Sequence, residues 1–167
     1  MRVDKEQKKC LAQGKRRTTC MDDCVFCDIV ARKAPASIVY EDDIVCSFLT
    51  LGPVNPGHLL VIPKQHMPFL SNMDEETGMY LFKVTMQMAM ALRSSGLQCE
   101  GINLFLADGE AAFQEVIHVH MHIFPRLQGD SFKLDADWEI KPSRQELDEI
   151  AERIRRADQI LRQETHI

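Results

Sequence analysis

The residues best suited to chemistry lie together in one short segment of the chain. His118, His120 and His122 alternate with apolar residues over residues 117–123, and they are three of the six histidines in 167 residues. Strict alternation is typical of a β-strand, in which residues two positions apart share a face and lie about 7 Å from one another. We therefore predict a strand over residues 116–124 that presents three imidazoles on one face, where a single ligand can touch all of them.

Histidines in this arrangement support two kinds of chemistry. An HxH pair on a strand can chelate zinc through its imidazole nitrogens. A neutral imidazole is also a good nucleophile and a proton carrier near pH 7. Attack on phosphorus further needs neighbours that stabilise phosphoryl oxygens, and the loop over residues 108–115 can supply backbone N–H groups and the Gln114 amide. The spacing alone leaves both chemistries open.

A second set of candidate residues lies nearer the start of the chain. Cys24 and Cys27 have the C-x-x-C spacing that serves metal or redox chemistry. The N-terminus lacks the apolar core of a secretory signal, so we expect the cysteines to be thiols rather than disulfides. His66 can supply a third metal ligand, although plain reduced thiols would show the same spacing.

Hydrophobic periodicity and turn formers predict the elements that must position these residues. A short helix over residues 26–33 ends before Pro35, and two β-rich runs flank an acidic turn, which is a hairpin signal. Residues 52–57 are dense in Gly, Pro and Asn and therefore predict a loop. The predicted strands cover residues 37–40, 44–49, 58–62, 101–107 and 116–124.

One longer helix is predicted over residues 74–95, with Asp74 as its N-cap and Gly96 as its C-terminal stop. Only a narrow stripe of this helix is polar, and a helix that is apolar on most sides is buried on most sides. The residues alone leave open whether the same domain or another subunit covers the second apolar face. The two apolar faces consist of Leu81, Val84, Met88 and Leu92, and of Met79, Phe82, Met86 and Met90.

A final helix is predicted from Ser143, whose Ser-x-x-Glu spacing to Glu146 forms a capping box. Strands that mix with segregated helices, without βαβ alternation, indicate an α+β fold. We expect an antiparallel β-sheet of about five strands with one long central helix and a C-terminal helix. One domain is expected over residues 21–130, followed by an extension over residues 131–167 whose helix packs on the same domain.

The charge distribution restricts the partners. Residues 1–20 carry seven basic and two acidic side chains, a net charge of +5, whereas residues 21–167 carry thirteen basic and twenty-three acidic ones, a net charge of −10. An acidic body is a poor partner for a polyanion, so we expect no nucleic-acid binding by the folded domain. We expect a disordered basic leader over residues 1–20 and, since no apolar run reaches the roughly 18 residues of a membrane span, a cytoplasmic protein.

Residues 118–124 resemble the His-φ-His-φ-His-φ-φ signature of the histidine-triad (HIT) superfamily of nucleotide hydrolases and transferases. Residues 26–30, 39–43 and 55–64 resemble further family segments in family order, so the resemblance covers residues 22–130. It implies a HIT-like fold and chemistry through a nucleotidyl-histidine intermediate. The expected partners are a purine nucleotide as substrate and a second copy of the chain in a homodimer.

The resemblance also implies a role for each matched residue. His120 is the nucleophile, His122 contacts the phosphate and assists the leaving group, and His58 lies close to the site. Gln114 matches a phosphate-contacting glutamine, and Glu115 beside it is expected at the phosphate as well. The implied nucleoside pocket, whose apolar members fit ordinary core packing equally well, comprises Phe26, Ile29, Phe48, Leu49, Thr50 and Leu51.

Some members of this superfamily hold a structural zinc ion with two cysteines, a mid-chain histidine and the first histidine of the motif. A closed set of two cysteines and two histidines suits structural zinc. Such an ion would tie the first helix to the histidine segment and hold His120 in position. Mapped onto this chain, the ligands are Cys24, Cys27, His66 and His118.

The chain departs from the family pattern around the phosphate. Thr50 stands where many members have a ribose-binding aspartate, and Ala107 stands where many have an asparagine. Phe113-Gln114-Glu115 replaces the usual Gly-Gln-Ser or Gly-Gln-Thr, which removes a conformationally free glycine and a hydroxyl donor. Glu115 adds a negative charge that can act as an acid or point to solvent.

The expected function is hydrolysis of a nucleoside phosphoramidate or a dinucleoside polyphosphate, with release of a nucleoside monophosphate. A nucleotidyltransferase or phosphorylase would use the same intermediate with another acceptor. The departures also permit a zinc-stabilised nucleotide-binding module with little catalysis. A catalytic metal bound by the three histidines is the remaining alternative.

Overall fold

A computed structural model describes residues 24–164, so the basic leader expected over residues 1–20 lies outside the described residues. The strands pair antiparallel in the order β1-β2-β3-β5-β4. The prediction of an α+β fold with a five-stranded antiparallel sheet is confirmed. The strands are β1 (Ile38–Glu41), β2 (Val45–Leu49), β3 (Leu59–Pro63), β4 (Gly101–Leu106) and β5 (Met121–Arg126).

Aspartate carboxylates that accept backbone hydrogen bonds stabilise the turn of the first hairpin and the start of the long helix. In the β1–β2 turn, Asp42 accepts hydrogen bonds from the backbone N–H groups of Ile44 and Val45, each at 2.8 Å. Helix α1 (Val25–Val30) precedes the sheet, and helix α2 (Glu75–Ser94) joins β3 to β4. The Asp74 carboxylate accepts from the backbone N–H of Thr77 at 2.8 Å, which confirms Asp74 as the N-cap of α2.

Helices α1 and α2 cover opposite faces of the sheet. Because side chains alternate between faces along each strand, each helix packs against a different set of strand residues. On one face, α2 buries Leu81, Val84, Met88 and Leu92 against a core that includes Val45, Val61 and Ile123. On the other, α1 packs Phe26 and Ile29 against Cys46, Phe48, Leu60 and Ile62. Strand β3 is buried along its whole length, as expected for a strand covered on both faces.

The second apolar face of α2 is exposed in this chain. This face consists of the second apolar set named in the sequence analysis, and its side chains run along one side of the helix. The exposed fractions are 61% for Met79, 46% for Phe82, 50% for Met86 and 67% for Met90. The interpretation in which the same chain wraps α2 on all sides is therefore wrong for the described residues.

The predicted strand over residues 116–124 is shifted toward its C-terminus in the structure. Strand β5 begins at Met121, where Met121 pairs with both Val61 and Leu106, and it continues to Arg126. Strand β4 ends at Leu106, so the residues before Met121 have no partner on that side. The backbone N–H of Val119 instead donates to the Met67 carbonyl at 2.6 Å. His118 and His120 therefore precede the strand, and only His122 lies in it.

The C-terminal residues form a compact unit that begins after Ser131. Helix α3 (Arg144–Glu164) follows the predicted capping box, in which Ser143 Oγ and Glu146 Oε2 lie 2.7 Å apart. The helix is thus confirmed, whereas its packing on the rest of the chain stays a prediction. Within residues 24–164, no helix combines the length and apolar character that crossing a bilayer requires.

Candidate active site

Four potential metal ligands converge beside the histidine segment. The ligand atoms of Cys24, Cys27, His66 and His118 all lie within 4.8 Å of one another. The Sγ to Nδ1 distances are 3.4 Å for Cys24–His118, 3.3 Å for Cys27–His66 and 3.7 Å for Cys27–His118. A tetrahedral zinc ion with bonds of about 2.3 Å to sulfur and 2.0 Å to nitrogen separates these atoms by about 3.6 Å. These three separations therefore match those of a closed zinc centre.

The local fold explains why these four residues meet. Cys24 caps the N-terminus of α1 and Cys27 lies in its first turn, while His66 follows β3. His118 Nε2 donates to the Pro63 carbonyl at 2.9 Å, which leaves the lone pair on Nδ1, the nitrogen that faces the sulfurs. His118 is fully buried. The fold thus holds this imidazole in the tautomer that a metal ligand needs.

Burial favours the neutral forms of the cluster's side chains. Burial raises the pKa of Cys27 to about 12, with a further contribution from the adjacent Cys24 thiol. Burial likewise lowers the pKa of His118 to about 4, so the ring is neutral at pH 7. The Cys27 thiol is therefore protonated in the absence of a nearby positive charge, and it would ligate a divalent metal by releasing its proton.

His120 is poised differently from His118. Its Nδ1 lies 2.7 Å from the His118 carbonyl and donates to it, so Nε2 carries the lone pair. Burial lowers the pKa of His120, while this hydrogen bond and the negative charge of Glu115 partly oppose the shift. The ring packs edge-on against Phe26 with centroids 5.2 Å apart. At pH 7 the side chain is a neutral imidazole with an available nucleophilic nitrogen.

A chain of hydrogen bonds gives His122 the complementary tautomer. His58 Nδ1 accepts from the backbone N–H of Val54 at 3.2 Å, so His58 Nε2 carries the hydrogen and donates to His122 Nδ1 at 2.9 Å. His122 is left with its own hydrogen on Nε2. Burial lowers the pKa of His58 to about 4 and that of His122 to about 3, so both rings are neutral. The His120 and His122 rings, 4.8 Å apart, thus offer a lone pair and an N–H donor.

The predicted phosphate loop is held by Gln114. Its side chain is buried, with Oε1 accepting from the Gly109 backbone N–H at 2.7 Å and Nε2 donating to the Pro68 carbonyl at 2.8 Å. The amide therefore shapes the loop, and its contact with a phosphate stays a prediction. Phe113 has a φ of 64°, in the left-handed region, and its side chain is 83% exposed. Glu115, the residue after Gln114, is also exposed.

The structure brings together half of the residues predicted to bind the nucleoside. Phe26, Ile29 and Phe48 share one apolar cluster, and Phe26 contacts the rings of both His118 and His120. The other three follow one another at the end of β2 and in the loop after it. Leu49 is 39% exposed, Thr50 is half-buried and Leu51 is fully exposed.

A polar clamp that sequence analysis missed supports the loop before His58. Asn55 Nδ2 donates to Asp130 and to the Pro125 carbonyl, each at 2.8 Å, and Arg126 donates to the same carboxylate at 2.6 and 2.7 Å. This clamp holds the loop whose Val54 N–H selects the His58 tautomer. No local signal reveals it, because Asn55 and Asp130 are 75 positions apart.

The sequence of this chain is similar to those of known proteins. The family model of the HIT domain matches residues 31–129. A HIT-like protein of Borreliella burgdorferi is 43% identical over 113 residues, which are 67% of this chain and 81% of that protein. An adenylylsulfatase of Arabidopsis thaliana is 34% identical over 114 residues, 68% of this chain and 57% of that protein.

Solved structures show the same architecture. A Streptococcus mutans protein superposes with a TM-score of 0.77 at 35% identity, covering 86% of this chain and 90% of that one. A zinc-bound histidine-triad protein of Mycobacterium smegmatis gives a TM-score of 0.64 at 42% identity, covering 75% of this chain and 87% of that one. Because the family model spans more than half of the chain and includes the histidine segment, the protein belongs to the HIT family.

Proposed function

We propose that the protein is a nucleotide hydrolase that works through a nucleotidyl-histidine intermediate. Its substrate is a nucleoside phosphoramidate or a dinucleoside polyphosphate, and its product is a nucleoside monophosphate. The complementary tautomers of His120 and His122 carry this proposal, because one neutral ring offers a lone pair where the next offers an N–H group. The adenylylsulfatase among the relatives supports a nucleotide as the substrate.

In the first half of the reaction, His120 Nε2 attacks the phosphorus and the bond to the leaving group breaks. The leaving group takes up a proton from solvent, while His122 Nε2–H donates a hydrogen bond to the phosphoryl oxygen on which charge develops. Water then attacks the phosphorus and the His120–phosphorus bond breaks. The proton that this water releases replaces the one consumed in the first half, so the hydrolysis is balanced.

We further propose that Cys24, Cys27, His66 and His118 hold a structural zinc ion. The fit of their separations to tetrahedral zinc and the neutral Nδ1 of His118 support this assignment. The ion would neutralise the two thiolates and join α1, the segment after β3 and the histidine segment. His120 lies two residues from His118, so the same anchor would hold the nucleophile.

The exposed face of α2 supports a homodimer. Four large apolar side chains, each 46% exposed or more, form a stripe along a 20-residue helix. Exposed apolar stripes of this kind are typical of subunit interfaces. Light scattering on the wild type and on Phe82→Glu tests the assignment, since a charge in the stripe should convert a dimer into monomers.

The test of the enzyme assignment is nucleotide turnover with adenosine phosphoramidate and with a diadenosine polyphosphate. The wild type should release the monophosphate. The intact mass should show a nucleotidyl adduct, and peptide masses should locate it on the peptide that contains His120. His120→Ala should abolish both signals, whereas activity that survives this change would refute the mechanism. Binding without turnover over the whole panel would favour the nucleotide-binding module, and a nucleoside diphosphate formed with added phosphate would indicate a phosphorylase.

A further inference from the structure

Strand pairing places His122 but stops short of His58. In the described part of the chain, the paired residues of β3 and β5 include His122 and end with Leu59 and Ile123. His58 lies one position beyond that last pair. The loop over residues 52–57 places this imidazole instead, through a backbone N–H that donates to its Nδ1. The alignment of the two rings, whose Nε2 and Nδ1 atoms are 2.9 Å apart, therefore depends on the position of that loop.

One side chain connects this loop to the end of β5. Asn55 donates one amide hydrogen to the Pro125 carbonyl and the other to the Asp130 carboxylate, each at 2.8 Å. An asparagine amide carries two hydrogens, so both are committed to this contact. Much of the remaining loop is exposed, namely Gly52, Pro53 and Pro56. The Asn55 side chain therefore anchors a loop that has few other buried residues.

The acceptor of that amide is a charged carboxylate in a fixed position. The Asp130 side chain is 6% exposed, and Arg126 donates to both of its oxygens, at 2.6 and 2.7 Å. These hydrogen bonds hold the pKa of Asp130 below its usual range. Hydrogen bonds to an ionised acceptor are stronger than those between neutral groups. Because Arg126 is the last residue of β5, the clamp joins the loop before His58 to the strand that carries His122.

We propose that Asn55 is a positioning residue for the reaction. Its amide holds the loop over residues 52–57 at the end of β5, and the loop in turn keeps His58 in the tautomer that donates to His122. The effect on turnover rests on the proposed function, whereas the effect on the tautomers does not. Without the clamp, the Val54 N–H no longer stays on His58 Nδ1, and the His58 hydrogen can occupy either nitrogen. His122 then loses the donor that keeps its own hydrogen on Nε2.

The direct test removes both donors of the clamp with Asn55→Ala in the full-length protein. Nitrogen-15 NMR of the imidazoles should show the His122 hydrogen on Nε2 in the wild type and a mixture of tautomers in the variant. Turnover of adenosine phosphoramidate should fall about 10- to 100-fold in kcat, because a small misplacement of a catalytic group can cost that much. Asn55→Asp keeps the shape of the side chain but turns acceptors toward the Asp130 carboxylate, so it should lower kcat at least as far.

Two further variants separate positioning from a general loss of stability. Asn103→Ala is the matched control, since the exposed Asn103 accepts from Arg126 at the outer end of the same network; it should keep the wild-type tautomer and kcat. In a His58→Phe background, Asn55→Ala should lower kcat by less than about twofold more, because the ring through which Asn55 acts is gone. Losses from independent sites would instead add in full.

Failure of this inference differs from failure of the proposed function. If the wild type turns over no nucleotide, the hydrolase assignment is wrong, and the His122 tautomer still decides whether Asn55 positions His58. If a folded Asn55→Ala protein keeps the wild-type tautomer, or if its loss of kcat persists in full in the His58→Phe background, Asn55 is not a positioning residue. Should Asn55→Ala not fold, Asn55→Ser keeps one donor and should shift the tautomer and kcat less, in the same direction; an unchanged tautomer there would overturn the inference.

Discussion

The most direct test of the active-site geometry is replacement of His58. Its Nε2–H donates to His122 Nδ1 and thereby keeps the single N–H hydrogen of His122 on Nε2. His58→Phe removes the donor and retains a ring that packs against Phe124, whose centroid is 4.4 Å from that of His58. His122 can then adopt the opposite tautomer, which would turn a lone pair toward the phosphate. One hydrogen bond to a charged group is worth about 1.5–3 kcal/mol, so kcat should fall about 10- to 150-fold.

His58→Gln is the matched variant, since an amide N–H can still donate to His122 and should preserve more of the rate. Turnover of adenosine phosphoramidate gives kcat for both variants, and nitrogen-15 NMR of the imidazoles reports the His122 tautomer directly. If His58→Phe kept the wild-type kcat, or if His122 kept its hydrogen on Nε2 in that variant, the tautomer argument would be refuted.

Three further predictions concern stability. Because burial lowers the pKa values of His58 and His122 to about 4 and 3, the unfolded chain binds more protons than the folded chain below the ordinary histidine pKa of 6.5. The contribution of these two rings to the unfolding free energy should therefore be constant above that pH, and the unfolding free energy should decline as the pH falls from 6.5 toward 4; a profile that is flat over that range in urea titrations would contradict the buried neutral rings. Phe113→Gly should raise the unfolding free energy by about 0.5–1 kcal/mol, since relief of left-handed strain exceeds the entropic cost of glycine; an unchanged or lower urea midpoint would be inconsistent with strain. A strong chelator should lower the unfolding temperature of the wild type and leave Cys24→Ser almost unaffected, whereas equal responses in a thermal scan would argue against the zinc centre.

The periodic and capping patterns of the sequence were sufficient for the main elements. Asp74, its downstream apolar repeat and Gly96 predicted α2 to within a residue at each end, because capping and helical periodicity act over a few neighbouring positions. The same local signals predicted the β1–β2 hairpin and the start of α3 at Ser143. Those signals could not locate the start of β5, since that boundary depends on where β4 ends.

Residue types and spacing alone identify which side chains are chemically capable: the C-x-x-C pair, the alternating histidines and the isolated His58 and His66. The role of each side chain depends on its partners in the folded chain. The Pro63 carbonyl turns His118 toward the sulfurs, the His118 carbonyl frees the Nε2 of His120, and the Val54 N–H acts on His122 through His58. An imidazole can donate or accept at either nitrogen, so its role is set by partners that only the folded chain brings within hydrogen-bond distance.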